Sequence, residues 1–320
     1  MTIGLWEYDR QVILAAVILD LLIGDPRWFP HPVVYIGRLI GALEKALRRL
    51  VRNERLGGML LLIMTVGITC LLTVALLAIA YAVSPYMGFV VAVILSWSCL
   101  AARSLHRESR LVADALVRGD LVEARRYLSN IVGRDTAELD EAEVWRATVE
   151  TVAENTSDGV IAPLFYLCIG GPVLAIAYKA VNTLDSMVGY RNERYKSLGW
   201  ASARCDDLAN FMPARLTGLL MVAAAPLFGF PPGNAWRIMC RDGRNHSSPN
   251  SGIPEAAVAG ALGVRLGGAS VYSGTRVEKP TIGDPLKPLS PAAWEGAIRI
   301  MYGAEALLVA GWLVITRIFF

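Results

Sequence analysis

Between Arg55 and Arg103 lie 47 consecutive residues, 56–102, without a charged side chain. At about 1.5 Å per residue, a helix of that length is roughly twice the ~30 Å hydrocarbon thickness of a bilayer. A soluble helix so long needs a polar face, and this stretch has none. Ala82, Val83, Ser84 and Pro85 divide it. The pattern predicts a tight hairpin of two transmembrane helices over residues 57–102. Composition agrees: 54% of the residues are hydrophobic, against 45–50% in an ordinary soluble domain.

The remaining segments arrange themselves around that hairpin. Residues 11–24 form a first apolar helix that carries Asp20. The following GDPRWFPHP holds three prolines in nine residues and must be a rigid, non-helical loop. Over residues 33–52, Ile36, Leu39, Ile40, Leu43, Leu47, Leu50 and Val51 share a helical face opposite Arg38, Lys45, Arg48, Arg49 and Arg52. That is the pattern of an amphipathic helix on a membrane surface. Residues 24–56 hold seven Lys/Arg against three acids, which assigns them to the cytoplasmic side. The hairpin returns the chain there, so residues 103–158 read as a charged, water-facing helical segment. Breaks are expected near Gly119 and Gly133, and Asp135 or Thr136 is placed to cap the next helix. Residues 159–236 contain two uncharged runs interrupted by Pro163, Gly170-Gly171-Pro172, Pro226 and Pro231-Pro232. Broken or re-entrant helices fit them better than two full crossings, because the segment between them holds six Lys/Arg and four acids. Residues 237–300 read as a cytoplasmic loop segment and 301–318 as a final span containing Glu305. The fold expected is a single, all-α, polytopic membrane bundle with a polar site on its cytoplasmic face.

Other classes are disfavoured. A net charge of +3 without a dense basic run gives no nucleic-acid footprint. The five cysteines lack CxxC spacing, and His31, His106 and His246 make no zinc pattern. Glu7 and Asp9 precede the first apolar run and no small-residue cleavage site follows it, which argues against a signal peptide. No nucleotide-binding P-loop, Ser-His-Asp set or HExxH motif occurs.

Polar residues cluster instead at the ends of apolar segments, where they are costly and therefore point to function. On a helix through residues 139–154, Glu143, Ala147, Glu150 and Glu154 share one face and lead into Asn155, Thr156, Ser157 and Asp158. Such oxygens suit Mg²⁺, which takes one or two carboxylates and keeps several waters; Glu143 reads as merely solvated. Lys179, Asn182, Asp185, Ser186 and Gly189 make a second stripe, able to hold a phosphate and its metal. Asp206, Asp207 and Asn210 make a third cluster, and RDGRNHSSPNSG, residues 241–252, offers Arg241, Arg244, His246, Ser247 and Ser248 to anionic oxygens.

The segments that carry these residues are long and specific. DLLIGDPRWFPHPVVYIGRLI, VAENTSDGVIAPLFY, YKAVNTLDSMVGYRNERY, GWASARCDDLANFMPARLT, RDGRNHSSPNSGIPEAAVAGALGVRLGG and KPTIGDP resemble, nearly end to end, the adenosylcobinamide-phosphate synthases of cobalamin biosynthesis, the CbiB/CobD family. The resemblance implies an ATP-dependent amide ligase of the cytoplasmic (inner) membrane. Its partners would be the lipid bilayer, adenosylcobyric acid, and (R)-1-amino-2-propanol or its phosphate, and self-association into a homo-oligomer is compatible with it. ATP and Mg²⁺ are the implied cofactors, and an acyl-phosphate is the implied route. On that basis Glu150, Glu154, Asp185 and Asp207 are expected to hold Mg²⁺. Lys179, Arg191, Arg241 and Arg244, with Ser247, Asn182 and Asn155, would contact phosphate or the substrate carboxylate. Lys179, Asp185 and His246 would be catalytic, His246 as the base for the amine. These residues are expected to converge in one cytoplasmic pocket. The competing reading is a membrane transporter or corrinoid-binding protein without ligase activity, since broken helices are also transporter features.

Overall fold

The structure, a computed structural model, describes residues 5–26, 28, 30–190, 192–272, 275–278 and 280–319. In chain order the helices are α1 (Leu5–Ile23), α2 (Pro32–Leu50), α3 (Glu54–Val83), α4 (Pro85–Trp97), α5 (Ala102–Val117), α6 (Leu121–Leu128) and α7 (Glu141–Asn155). A π-helical turn, Thr156–Ile161, leads into α8 (Ala162–Val188), followed by α9 (Trp200–Ala209) and α10 (Phe211–Ala224). A 3₁₀ turn, Ala225–Phe228, precedes α11 (Pro232–Asp242), α12 (Gly252–Leu262) and α13 (Pro291–Phe319). Strands β1 (Leu266–Gly267), β2 (Ser270–Tyr272), β3 (Thr275–Val277) and β4 (Thr281–Ile282) form two small antiparallel ladders, β1 with β4 and β2 with β3. Among the described residues, five runs are long and apolar enough to cross a membrane: Glu54–Val83, Pro85–Val117, Glu141–Val188, Phe211–Phe228 and Pro291–Ile318. The protein is a multi-pass, all-α membrane protein. Its chain divides into two compact units, one drawn from Met1–Ala101, Ala162–Asn210 and Ile315–Phe320, the other from Ala102–Ile161 and Phe211–Val314.

In the first unit, α3 shows what solvent it is built for. Gly57, Gly58, Leu61, Thr65, Thr69, Thr73 and Ala80 are buried at three- and four-residue spacing, while Ile63, Leu71, Leu72 and Ile79 face outward. Small and hydroxyl residues pack inside and branched apolar ones face out, as expected where lipid is the solvent. At Ser84 the helix ends where expected: the Ser84 Oγ accepts from Met87 N at 3.1 Å and Pro85 occupies the first turn of α4. The second arm is shorter than expected. It stops at Trp97, where Ser96, Ser98 and Cys99 direct their side chains onto the carbonyls of Ala92 and Leu95. Such local bonds compete with helix propagation.

The apolar stripe of α2 also departs from expectation. Ile36, Ile40 and Leu47 form a core with Leu61 of α3, Ala180, Leu184 and Val188 of α8, and Leu198. The stripe packs on protein, because α3 and α8 present a matching face; Arg38, Lys45 and Arg49 remain exposed. Buried Glu44 lies in that stripe and pairs with Arg48 at 2.9 Å and Arg194 at 3.6 Å, and both arginines lie over the Tyr195 ring. Pro163 lies in the first turn of α8, directly after the π turn, and α8 kinks at Gly170 and Gly171, the latter at φ 61°, ψ −160°. Only glycine adopts that backbone readily, and Pro172 cannot donate to the preceding turn.

The second unit is built around α7 and α12. Every residue of α12 but Ile253 is buried, as befits a helix apolar nearly all round; this helix lies in what the sequence presented as loop. Helix α7 was expected to face water, yet Val144, Trp145, Ala147, Thr148, Val149, Thr151, Val152 and Ala153 are all buried, with Glu150 among them. Its cap is Asp140, in a capping box with Glu143, rather than Asp135 or Thr136. Helix α13 begins ten residues ahead of the expected span, at Pro291. Asp20, in the first unit, and Glu305, in the second, are both buried within protein, where acids in membrane segments are tolerated.

Candidate functional site

In the first unit, α8 and α9 bring two of the predicted clusters together. The Asn182 Nδ2 donates to Asp206 Oδ1 at 3.3 Å, the Asn210 Nδ2 donates to Asp206 Oδ2 at 3.0 Å, and the Tyr178 hydroxyl donates to Asn210 Oδ1 at 2.8 Å. Tyr178 stacks on Tyr166, ring centroids 5.1 Å apart, and the Tyr166 hydroxyl donates to the Ala209 carbonyl at 2.8 Å. A continuous polar chain thus ties the second half of α8 to α9. Its hub is Asp206, with both oxygens engaged, rather than the neighbouring Asp207, which is half-buried. Tyr166 and Tyr178 escaped the sequence reading, since each sits in an apolar run where a tyrosine looks like packing. On the same stripe of α8 lie Lys179 and Asp185, both half-buried. Among the described residues the Lys179 ammonium has neither a hydrogen bond nor an ion pair. Arg191 lies outside the described residues.

His31, in the proline-rich loop, is structural. Its Nδ1 accepts from Val33 N at 3.2 Å, capping α2, and its Nε2 is 3.4 Å from Asp25.

In the second unit, the end of α7 meets the loop between α11 and α12. The Ser251 hydroxyl donates to Glu154 Oε1 at 2.8 Å. Asn155 turns its amide onto its own helix, at the Thr151 carbonyl, 3.0 Å away. The π turn that follows holds Ser157, buried and with no hydrogen-bond partner for its hydroxyl among the described residues, and half-exposed Asp158. π-Helical turns recur at functional sites. Glu150 has a different environment from the one expected. Its Oε2 accepts from Arg134 at 2.5 Å, its Oε1 accepts from Gly267 N at 2.7 Å, and Arg146 lies 3.9 Å away. Arg146 in turn donates to the carbonyls of Gly267 and Ala269. Glu150 therefore fastens β1 and the loop before α7 to the helix.

The loop 241–252 is similarly divided. Arg241 donates to both oxygens of Asp242 at 2.7 Å and to Asp284 at 2.9 Å, and Arg237 donates to Asp284 at 2.8 Å. These bonds hold Asp242 and Asp284 below the usual carboxylate range and raise Arg241 further still. His246 accepts from Ser248 N through Nδ1 at 3.1 Å, and its Nε2 lies 3.9 Å from buried Glu255. Both ring nitrogens thus face protein groups. Ser247 and Arg244 are exposed.

Among the described residues, no three His, Cys, Asp or Glu side chains come together as a metal site. Mg²⁺ does not require one, because it shares its shell between one or two carboxylates, water and substrate phosphates. Glu154 in the second unit, and Asp185 and Asp207 in the first, are hard oxygen donors of the right type.

The family model described as CobD/Cbib protein matches residues 13–301. The chain is 70% identical over 307 residues to the cobalamin biosynthesis protein CobD of Geobacter metallireducens, covering 96% of each chain. It is 59% identical to the protein of that name from Pelobacter propionicus, over 92% of this chain and 91% of that one. It is 49% identical to the cobalamin biosynthesis protein CbiB of Salmonella typhi, over 92% and 93%. No solved structure matches.

Proposed function

The chain belongs to the CobD/CbiB family, and on that premise we propose that it acts in cobalamin biosynthesis as an ATP-dependent amide ligase. The reaction joins the amine of (R)-1-amino-2-propanol, or of its O-phosphate, to the free propionate of adenosylcobyric acid. A carboxylate does not react with an amine at neutral pH until one of its oxygens becomes a leaving group. ATP supplies that group: transfer of its terminal phosphoryl to the carboxylate forms an acyl-phosphate and ADP. The amine then attacks the acyl carbon, losing a proton and expelling phosphate. The site lies at the cytoplasmic face of the inner membrane.

The observation that carries this reading is Lys179, a half-buried ammonium without a carboxylate of its own among the described residues, on one stripe of α8 with Asn182 and Asp185. Such a cation is suited to a substrate anion, whether propionate or phosphate. Asp185 and Asp207 in the first unit, and separately Glu154 in the second, are the carboxylates suited to Mg²⁺, which when bound would offset phosphate charge. Glu150 joins them only if its ties to Arg134 and Gly267 loosen. His246 acts as base only after releasing Ser248 N, so its role is secondary to that of Lys179. Asn182, held by Asp206, orients the α8 stripe. Asn155, Ser247, Arg191, Arg241 and Arg244 are the remaining polar contacts assigned to substrates.

The test uses purified protein in detergent with ATP, Mg²⁺, adenosylcobyric acid and either amine. ADP should form only when both organic substrates are present, with adenosylcobinamide or its phosphate as product. Lys179→Ala and Asp185→Ala should each lower turnover by at least about a hundredfold, corresponding to ~2.7 kcal/mol of barrier, with insertion unchanged. Full activity in both variants would sink the assignment. The kink at Gly170-Gly171 favours a second reading, a corrinoid carrier; corrinoid binding without ADP formation would select it.

A further inference from the structure

The arginines around α11 and the loop after it fall into two classes. Arg237 and Arg241 are matched by Asp284 and Asp242. Arg215 and Arg244 have no carboxylate among the described residues. The Arg215 guanidinium donates to Phe211 O at 2.7 Å, to Asn250 Oδ1 at 2.9 Å and to Pro249 O at 3.4 Å, all uncharged, and it lies over the Phe211 ring, 3.6 Å from its centroid. Arg244 is exposed and makes no hydrogen bond or ion pair among the described residues. Arg215 is bound to residues 249–250 of the very loop that carries Arg244, and burial first, then the charge of Arg244, acts on its guanidinium. The same loop exposes Ser247, while the Ser248 Oγ accepts from Asn250 N and Ser251 N and so shapes the loop.

Two like charges held together without an anion are unfavourable. Arg215 is nevertheless held there by three neutral acceptors and a ring, so its position does not depend on a counter-ion. Guanidinium pairs of this kind match the several oxygens of a phosphoryl group and can grip it bidentately. We infer that Arg215 and Arg244 form a phosphate-gripping pair that takes a phosphoryl group of a substrate. This rests on the ligase reading and deepens it: it adds Arg215, keeps Arg244, and releases Arg241, already committed to two aspartates. The phosphoryl group belongs either to ATP or to the phosphorylated amino alcohol.

The first experiment needs no turnover. Binding of inorganic pyrophosphate to the full-length protein in detergent is measured by calorimetry. Arg244→Gln removes no hydrogen bond or ion pair among the described residues, and Arg215→Lys keeps the charge while losing the planar fork. Each should weaken binding by about tenfold, the worth of one charged hydrogen bond. Arg126→Gln, at an exposed cation of α6, should leave it unchanged. Absent wild-type binding at millimolar pyrophosphate, or wild-type affinity in both pair variants, overturns the pair. The second experiment identifies the source. A raised KM for ATP assigns the nucleotide; a raised KM for the phosphorylated amino alcohol, with none for the free one, assigns the ester. Either supports the pair, and unchanged KM for both overturns it. Pyrophosphate binding that depends on Arg244 in a protein that never ligates would sink the ligase reading and leave the pair standing.

Discussion

Asp242 illustrates how a side chain's role is set jointly by a neighbour in sequence, Arg241, and by a remote group, the Gly283 N–H. It is buried, its carboxylate accepts from Arg241, and its Oδ2 also accepts from Gly283 N at 2.8 Å. Hydrogen bonds from Arg241 are the largest cause of its lowered pKa, and those from Arg241 and then Arg237 lower that of Asp284. A depressed carboxylate contributes stability that is present above its unfolded value, about 3.9, and is lost as pH falls through the folded value. The unfolding midpoint in detergent should therefore hold between neutral pH and about pH 5 and fall below ~4. Asp242→Asn should start lower at neutral pH and show a shallower acid slope in scanning fluorimetry; an unchanged slope would refute the linkage. Residue roles were the least legible part of the sequence for this reason. Arg241 and Glu150 looked available for ligands because Asp284, Arg134 and Gly267, which occupy them, lie 16 to 117 residues away. Asp206 and Asp207 are adjacent and identical in type, and only the fold separates the hub from its neighbour. The shared helical face of Lys179 and Asn182 was legible because their spacing alone fixes it.

Elements were more legible, most of all where proline or glycine acts locally. The breaks at Ser84-Pro85, Gly119, Gly170-Gly171 and Pro231-Pro232 all fall where the sequence put them. Each follows from a missing N–H or a missing Cβ rather than from tertiary contacts. The end of α4 and the whole of α12 were not legible, because side-chain bonds to carbonyls and burial by neighbours decide them. Gly171 offers a test at this scale. A Cβ there would meet nothing within 4 Å, so only the backbone resists it. Gly171→Ala should lower the unfolding free energy by about 1–3 kcal/mol without preventing insertion. A Cβ at Gly58 would collide with the Leu198 carbonyl, and Gly58→Ala should cost more. Equal midpoints for both variants, measured side by side, would contradict this ordering.

At the scale of the whole molecule, the five apolar runs found among the described residues were largely anticipated by charge-free length, whereas the cytoplasmic placement of the polar segments is an expectation from Lys/Arg bias. Cysteine chemistry can test that placement. Cys240, in the segment assigned to the cytoplasm, is exposed, whereas Cys99 is buried. In a variant retaining only Cys240, a membrane-impermeant maleimide should label inverted vesicles and spare intact cells. Labelling of intact cells would reverse the topology. In a second variant retaining only Cys99, labelling should occur only after denaturation.

The pattern of α3 also bears on which changes this family can absorb. Along its lipid side, Leu71, Leu72 and Ile79 touch fluid hydrocarbon, which takes the shape of whatever oily group it meets. Relatives are free to drift there among leucine, isoleucine, valine and phenylalanine. Along the opposite side a single methyl group at Gly58 has nowhere to go. Divergence should therefore run down one flank of the helix and stall on the other.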